Sequence, residues 1–77
     1  MAYSSETFGK RLAIARKSRG FETQTEFANS SGLPVNSIAR YEAGTVVPGL
    51  DNAYKLASAL NVSLDSLTGR APLIIDD

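Results

Sequence analysis

The chain predicts an all-α domain of about five short helices, and three observations carry that prediction. Glycines recur as punctuation, at Gly20, Gly32, Gly44, Gly49 and Gly69. Between them apolar residues repeat at the three- and four-residue spacing of a helix. No stretch alternates apolar and polar residues in the manner of a strand. With 77 residues the chain makes one domain, and a domain so short buries only roughly 60–65% of the surface its unfolded form exposes. Its core must be economical.

The first helix is expected from about Ser5 to Arg19, with Phe8, Leu12 and Ala15 on one stripe and Gly20 as its left-handed terminator. The second opens on a capping box, Thr23-Gln24-Thr25-Glu26, in which the Thr23 hydroxyl accepts from the Glu26 amide while the Glu26 carboxylate reaches back. Phe27 and Ala28 then face inward. This helix lasts to about Ser31, since Gly32 breaks it and Pro34 suits the first turn of a new one. Two helices joined by so short a turn cross steeply. The third runs from roughly Pro34 to Ala43, with Leu33, Ile38 and Tyr41 turned inward and Gly44 ending it.

After an irregular loop, Pro48-Gly49 leads into a fourth helix whose buried side is assigned to Leu50, Ala53, Leu56, Ala57 and Leu60. The fifth is short. Ser63 caps it, Val62 and Leu67 occupy the two positions of a hydrophobic staple, Asp65 sits where the helix dipole favours a negative charge, and Gly69 stops it. Residues 1–7 are assigned to an N-terminal arm, 8–69 to the folded domain and 70–77 to a C-terminal tail. The apolar run Pro72-Leu73-Ile74-Ile75 in that tail is read either as a loose end or as a docking strand for a partner.

Composition narrows the function. The chain has no Cys and no His, which removes disulfides, thiol nucleophiles, imidazole bases and the usual zinc ligand sets together. There is no glycine-rich phosphate loop and no evident carboxylate pair, so the chain offers no plausible catalytic centre and an enzyme is not expected. No run of about 18 apolar residues exists, and the opening Met1-Ala2-Tyr3-Ser4 lacks the basic-then-apolar order of a signal peptide. A cytoplasmic protein without a membrane partner follows as the expectation.

The formal net charge is 0, which taken alone argues against a nucleic-acid partner. Its distribution argues the other way. Three acids lie near the chain ends (Glu6, Asp76, Asp77), so the segment 8–70 carries eight bases against five acids, a net of +3. Five of the bases, Lys10, Arg11, Arg16, Lys17 and Arg19, fall within ten residues. Such a run reads either as a solvated helix face or as a flank turned toward phosphates.

From Gln24 to Gly44 a capped helix, a glycine-containing turn and a second helix follow in helix-turn-helix order. The run GLPVNSIARYEAG from Gly32 to Gly44, followed by Pro48 and by LASALNVSLDSL from Leu56 to Leu67, resembles the Cro and repressor (Xre-like) helix-turn-helix family of phages and bacteria. The likeness covers about Phe8 to Gly69. It takes in Leu12 and Arg16 on the first helix, Gln24 opening the second, Ala28 within it, Gly32 in the turn, Ile38 in the third, and the spaced set Glu42, Gly44, Pro48. It implies a compact five-helix, lambda-repressor-like domain that binds a double-stranded DNA operator, most often as a homodimer, with no cofactor, metal or small-molecule substrate.

Site assignments follow from the resemblance and from chemistry together. In such a motif the start of the third helix enters the major groove while the second lies across the backbone. Val35, Asn36 and Arg40 match the base-contacting positions, and each suits a distinct base edge: Val a thymine methyl, Asn adenine, Arg guanine. Gln24, Ser37, Lys10 and Arg11 are assigned to the DNA backbone, with Gln24 also bracing the third helix. Arg16 and Glu42 look like the family's interior ion pair, which would clamp the first helix to the end of the third. Small Ala28 lets the second and third helices approach, and Gly32 supplies the positive φ of the turn. Three departures from the family pattern stand out. The loop Gly20-Phe21-Glu22 is one residue longer than usual, Pro34 stands in place of a polar cap, and Thr45-Val46-Val47 carries no base. A protein-interaction module, such as an antitoxin or coactivator, is the rival reading.

Overall fold

In a computed structural model, residues 4–71 are described, and they form five helices: α1 (Ser5–Ser18), α2 (Gln24–Ser31), α3 (Val35–Ala43), α4 (Leu50–Leu60) and α5 (Leu64–Thr68). The apolar run Leu73 to Ile75 lies outside the described residues. Residues 4–7, placed by sequence in an arm, are the cap and first turn of α1, where the Ser4 hydroxyl accepts from the Thr7 amide at 3.0 Å.

The helix boundaries follow their chemistry. Both halves of the α2 capping box are formed: Glu26 N donates to Thr23 Oγ1 at 3.1 Å, and Thr23 N to Glu26 Oε1 at 3.0 Å. Gly32 and Gly44 end α2 and α3 in the left-handed conformation, at φ +76° and +79°, where a Cβ would be strained. Asn61 takes the same role after α4 at φ +56°, a conformation that Asn visits more readily than other non-glycine residues.

Pro34 is read from the sequence both as suiting the first turn of α3 and as standing in place of a polar cap; it is the N-cap, in extended backbone and without a side-chain bond to the helix, and α3 begins at Val35. One expectation is corrected. Leu50 is not on the buried side of α4. It is 76% exposed and is the first residue of the helix. The core side of α4 is Ala53, Leu56, Ala57 and Leu60.

One core joins all five helices. Phe8, Leu12, Phe27, Ile38, Leu56, Leu60 and Leu67 are sealed within it. Phe21, from the lengthened loop, packs on its edge and meets the Phe27 ring at a centroid distance of 5.4 Å. Helix α1 lies against α3 and α5, α2 against α3 and α4, and α4 against α5. Helices α1 and α3 approach closely at Gly9, where an added Cβ would stand 2.6 Å from the carbonyl oxygens of both Tyr41 and Glu42. Only a glycine lets α1 lie so near the end of α3.

Candidate nucleic-acid interface

Helix α3 is presented to solvent by what holds it from behind. Ile38 and Tyr41 anchor it in the core. At its far end Glu42 is the hub of a buried network: Arg16 Nε donates to Oε2 at 2.6 Å, Arg16 Nη2 to Oε1 at 3.3 Å, and Gln24 Nε2 to Oε1 at 3.0 Å. The Arg16 and Glu42 side chains are only 6% and 8% exposed. Arg16 Nη1 donates further to the Phe21 carbonyl at 2.7 Å. One guanidinium thus joins α1, the α1–α2 loop and α3, and the carboxylate adds α2. Across the other flank, Asn52 Nδ2 in the first turn of α4 donates to Tyr41 Oη at 3.0 Å.

What remains outward on α3 is a single ridge. Asn36, Arg40 and Ala43 are exposed at i, i+4 and i+7, with Val35 exposed at the helix start and Ser37 half-buried beside them. Such a ridge offers an amide that pairs with one base edge, a guanidinium that pairs with another, and a methyl surface. Arg40 is the sole cation on α3, and its neighbour Glu42 is already neutralised by Arg16. The ridge is therefore mildly positive.

The basic cluster of α1 is divided by the fold. Lys10 and Lys17 are exposed. Arg11 Nη1 donates to the Ser66 and Ala71 carbonyls at 2.9 and 3.0 Å, and Arg19 Nε donates to the Leu60 carbonyl at 2.8 Å. These two guanidiniums sit at the carbonyl ends of α5 and α4, where a cation meets the negative pole of the helix. The Arg11, Arg19 and Asn52 contacts span 41 to 60 residues or link two helices, and nothing local in the sequence marks them. Among the described residues no group of three or more carboxylates could hold a metal ion, and no helix is long and apolar enough to cross a membrane.

The family model of the helix-turn-helix type, HTH_3, matches residues 12–67. The cryptic phage CTXphi transcriptional repressor RstR of Vibrio cholerae is 39% identical over 61 residues, which are 79% of this chain and 54% of that protein. The chain therefore spans about half the length of this relative. Among solved structures, the restriction-modification controller protein C.AhdI of Aeromonas hydrophila superposes with a TM-score of 0.76 at 33% identity, covering 82% of this chain and 94% of that one. The P22 c2 repressor, solved in complex with a synthetic operator, gives 0.71 at 27% identity, covering 78% and 89%.

Proposed function

The chain belongs to the helix-turn-helix family whose model it matches, and from that premise we propose that it is a sequence-specific double-stranded DNA-binding regulator of transcription, of the repressor type. One observation carries the reading: the exposed ridge of Asn36 and Arg40 stands on a helix fixed from behind by the Arg16–Glu42–Gln24 network. A helix held in place with polar groups along its exposed face is what major-groove reading needs, since base edges are recognised only when donors and acceptors are held in register. Its relatives named as repressors, one of them solved on an operator, support the same reading.

In this reading Asn36 pairs with an adenine, Arg40 with a guanine, and Val35 packs on a thymine methyl. Ser37, Lys10 and Gln24 hold the phosphate backbone. The Gln24 amide nitrogen has two hydrogens, so bonding to Glu42 with one leaves the other for a phosphate. Arg11 contributes as a brace between α1 and α5. The protein works in the cytoplasm as a homodimer on a two-fold operator, and it is a binding protein rather than an enzyme.

The test is selection of binding sites from a randomised duplex pool, followed by fluorescence anisotropy on the selected and a scrambled duplex at several salt concentrations. A defined half-site, bound more tightly than the scrambled duplex and with affinity falling as salt rises, is the expected result. Recovery of no preferred sequence sinks the reading.

A further inference from the structure

Between α4 and α5 a cleft of about 450 Å³ opens, with Tyr54, Val62, Leu64 and Asp65 in its lining. Tyr54 stands 66% exposed on its rim, and Val62 and Leu64 are only partly buried. A cleft of this volume lies in the range that encloses several apolar groups. The DNA-facing ridge on α3 makes no use of it.

The chain leaves α5 beside this cleft. The amides of Arg70 and Ala71 both donate to the carbonyl of Asp65, at 2.8 and 3.2 Å, and Asp65 is one of the lining residues. The Ala71 carbonyl accepts from Arg11 Nη1 at 3.0 Å, so the point of departure is pinned to α5 on one side and to α1 on the other. Immediately beyond it come Pro72-Leu73-Ile74-Ile75 and then Asp76-Asp77. Pro72 cannot prolong a helix and disfavours helical backbone at the residue before it. Four extended residues span about 13 Å, enough to carry three large apolar side chains across such a cleft.

We propose that the cleft is the seat of the chain's own residues 72–77, with Leu73, Ile74 and Ile75 covering Tyr54, Val62 and Leu64. Charge sets the direction. Asp65 on the α5 wall repels the terminal acids, whereas Lys55, exposed on α4 and less than one turn from Ser58 in the cleft wall, attracts them. The segment therefore runs from α5 toward α4, its apolar part over the cleft and its acids beside Lys55. Tethering decides for this occupant over a separate partner, because a segment so short is held near the cleft at an effective concentration in the millimolar range. The contact braces α5, a helix of five residues that is too short to persist without packing. It is independent of the DNA-binding reading.

The experiment places a nitroxide on the full chain through Asp77→Cys, which labels a single site because the sequence has no other cysteine, and reads the broadening of backbone amide signals by NMR in dilute solution. Tyr54, Ser58 and Leu64 are broadened most, and Asn36 and Arg40 on the α3 ridge least. Leu73→Ser with Ile75→Ser, or Tyr54→Ala alone, reduces the broadening at the cleft severalfold. Lys55→Asp weakens it, and Lys55→Asp with Asp76→Lys restores it. Without the label, Leu73→Ser with Ile75→Ser lowers the thermal midpoint by roughly 4–8 °C, the size expected in so short a domain when a small apolar contact is lost. Broadening that is no stronger at the cleft than on the α3 ridge overturns the proposal, as does an unchanged midpoint or a charge exchange no better than the single change. A mixture of spin-labelled chain with isotope-labelled, unlabelled-spin chain separates the remaining case: broadening that persists there puts the segment on a second copy and also overturns it.

Discussion

Arg16 has its guanidinium divided among three acceptors on two elements, and Glu42 accepts from two elements in return. A charge so enclosed cannot find water when its partner is removed. Arg16→Ala or Glu42→Ala should each cost on the order of 3–5 kcal/mol, visible as a large fall in the thermal midpoint. Melting within a degree or two of the parent would contradict the enclosure. The pair is legible in the sequence because both positions carry a family pattern, although neither spacing nor charge alone marks it. Gly9 is different. It sits in the middle of α1, where glycine is a poor helix former, and its reason lies 32 residues away, in the Tyr41 and Glu42 carbonyls 2.6 Å from where a Cβ would be. Gly9→Ala would raise helix propensity yet should destabilise the domain by about 1–3 kcal/mol through overpacking. A chemical denaturation series decides the sign, and stabilisation would mean that α1 and α3 can part without loss.

At the level of the helix, the sequence is readable where the signal is local. The α2 capping box, the left-handed glycines after α2 and α3, and the Ser63 cap of α5 all lie within a few residues of the bond they make. It is unreadable where the answer depends on what packs overhead. Leu50 fits the apolar period of α4 but projects beyond the core, and Arg11, assigned by sequence to the DNA backbone, donates to the Ser66 and Ala71 carbonyls at the end of α5. The same division shapes the prediction for α3. Asn36 and Arg40 stand on its exposed ridge, whereas Lys10 is on α1, so their losses should differ in kind. Arg40→Ala should lose about 1–3 kcal/mol on the selected site and little on scrambled DNA, relaxing the preference at one guanine, and Asn36→Ala should do likewise at one adenine. Lys10→Ala should weaken both duplexes alike and reduce the salt slope by about one. Titrations of each variant on matched duplexes at several salt concentrations separate the two. Equal weakening of both duplexes by Arg40→Ala would make Arg40 a phosphate contact and move the specificity toward Val35 to Ser37.

The folded domain measures 32 × 29 × 19 Å, so one copy reaches across no more than a single turn of the duplex, which is about 34–36 Å along its axis. Its formal charge is 0, and the lengthwise stretch after α3, Thr45-Val46-Val47, adds no cation. A single copy therefore has few phosphate contacts with which to hold DNA. Two copies on one duplex double both the phosphate contacts and the bases read, and joining them converts the second binding event into an intramolecular one. The symmetry of the pair must then appear in the DNA: half-sites related by a two-fold axis, their centres about 10–10.5 base pairs apart, so that both α3 helices enter the groove on one face of the duplex. Inserting five base pairs between the half-sites turns the second one to the opposite face by about half a helical turn, and cooperative binding should vanish, while an insertion of ten should recover part of it. Sedimentation of the chain with each duplex counts the copies bound. One copy per duplex at every spacing, with affinity indifferent to the second half-site, would mean that the domain reads DNA alone and that its two-fold partner, if any, acts elsewhere.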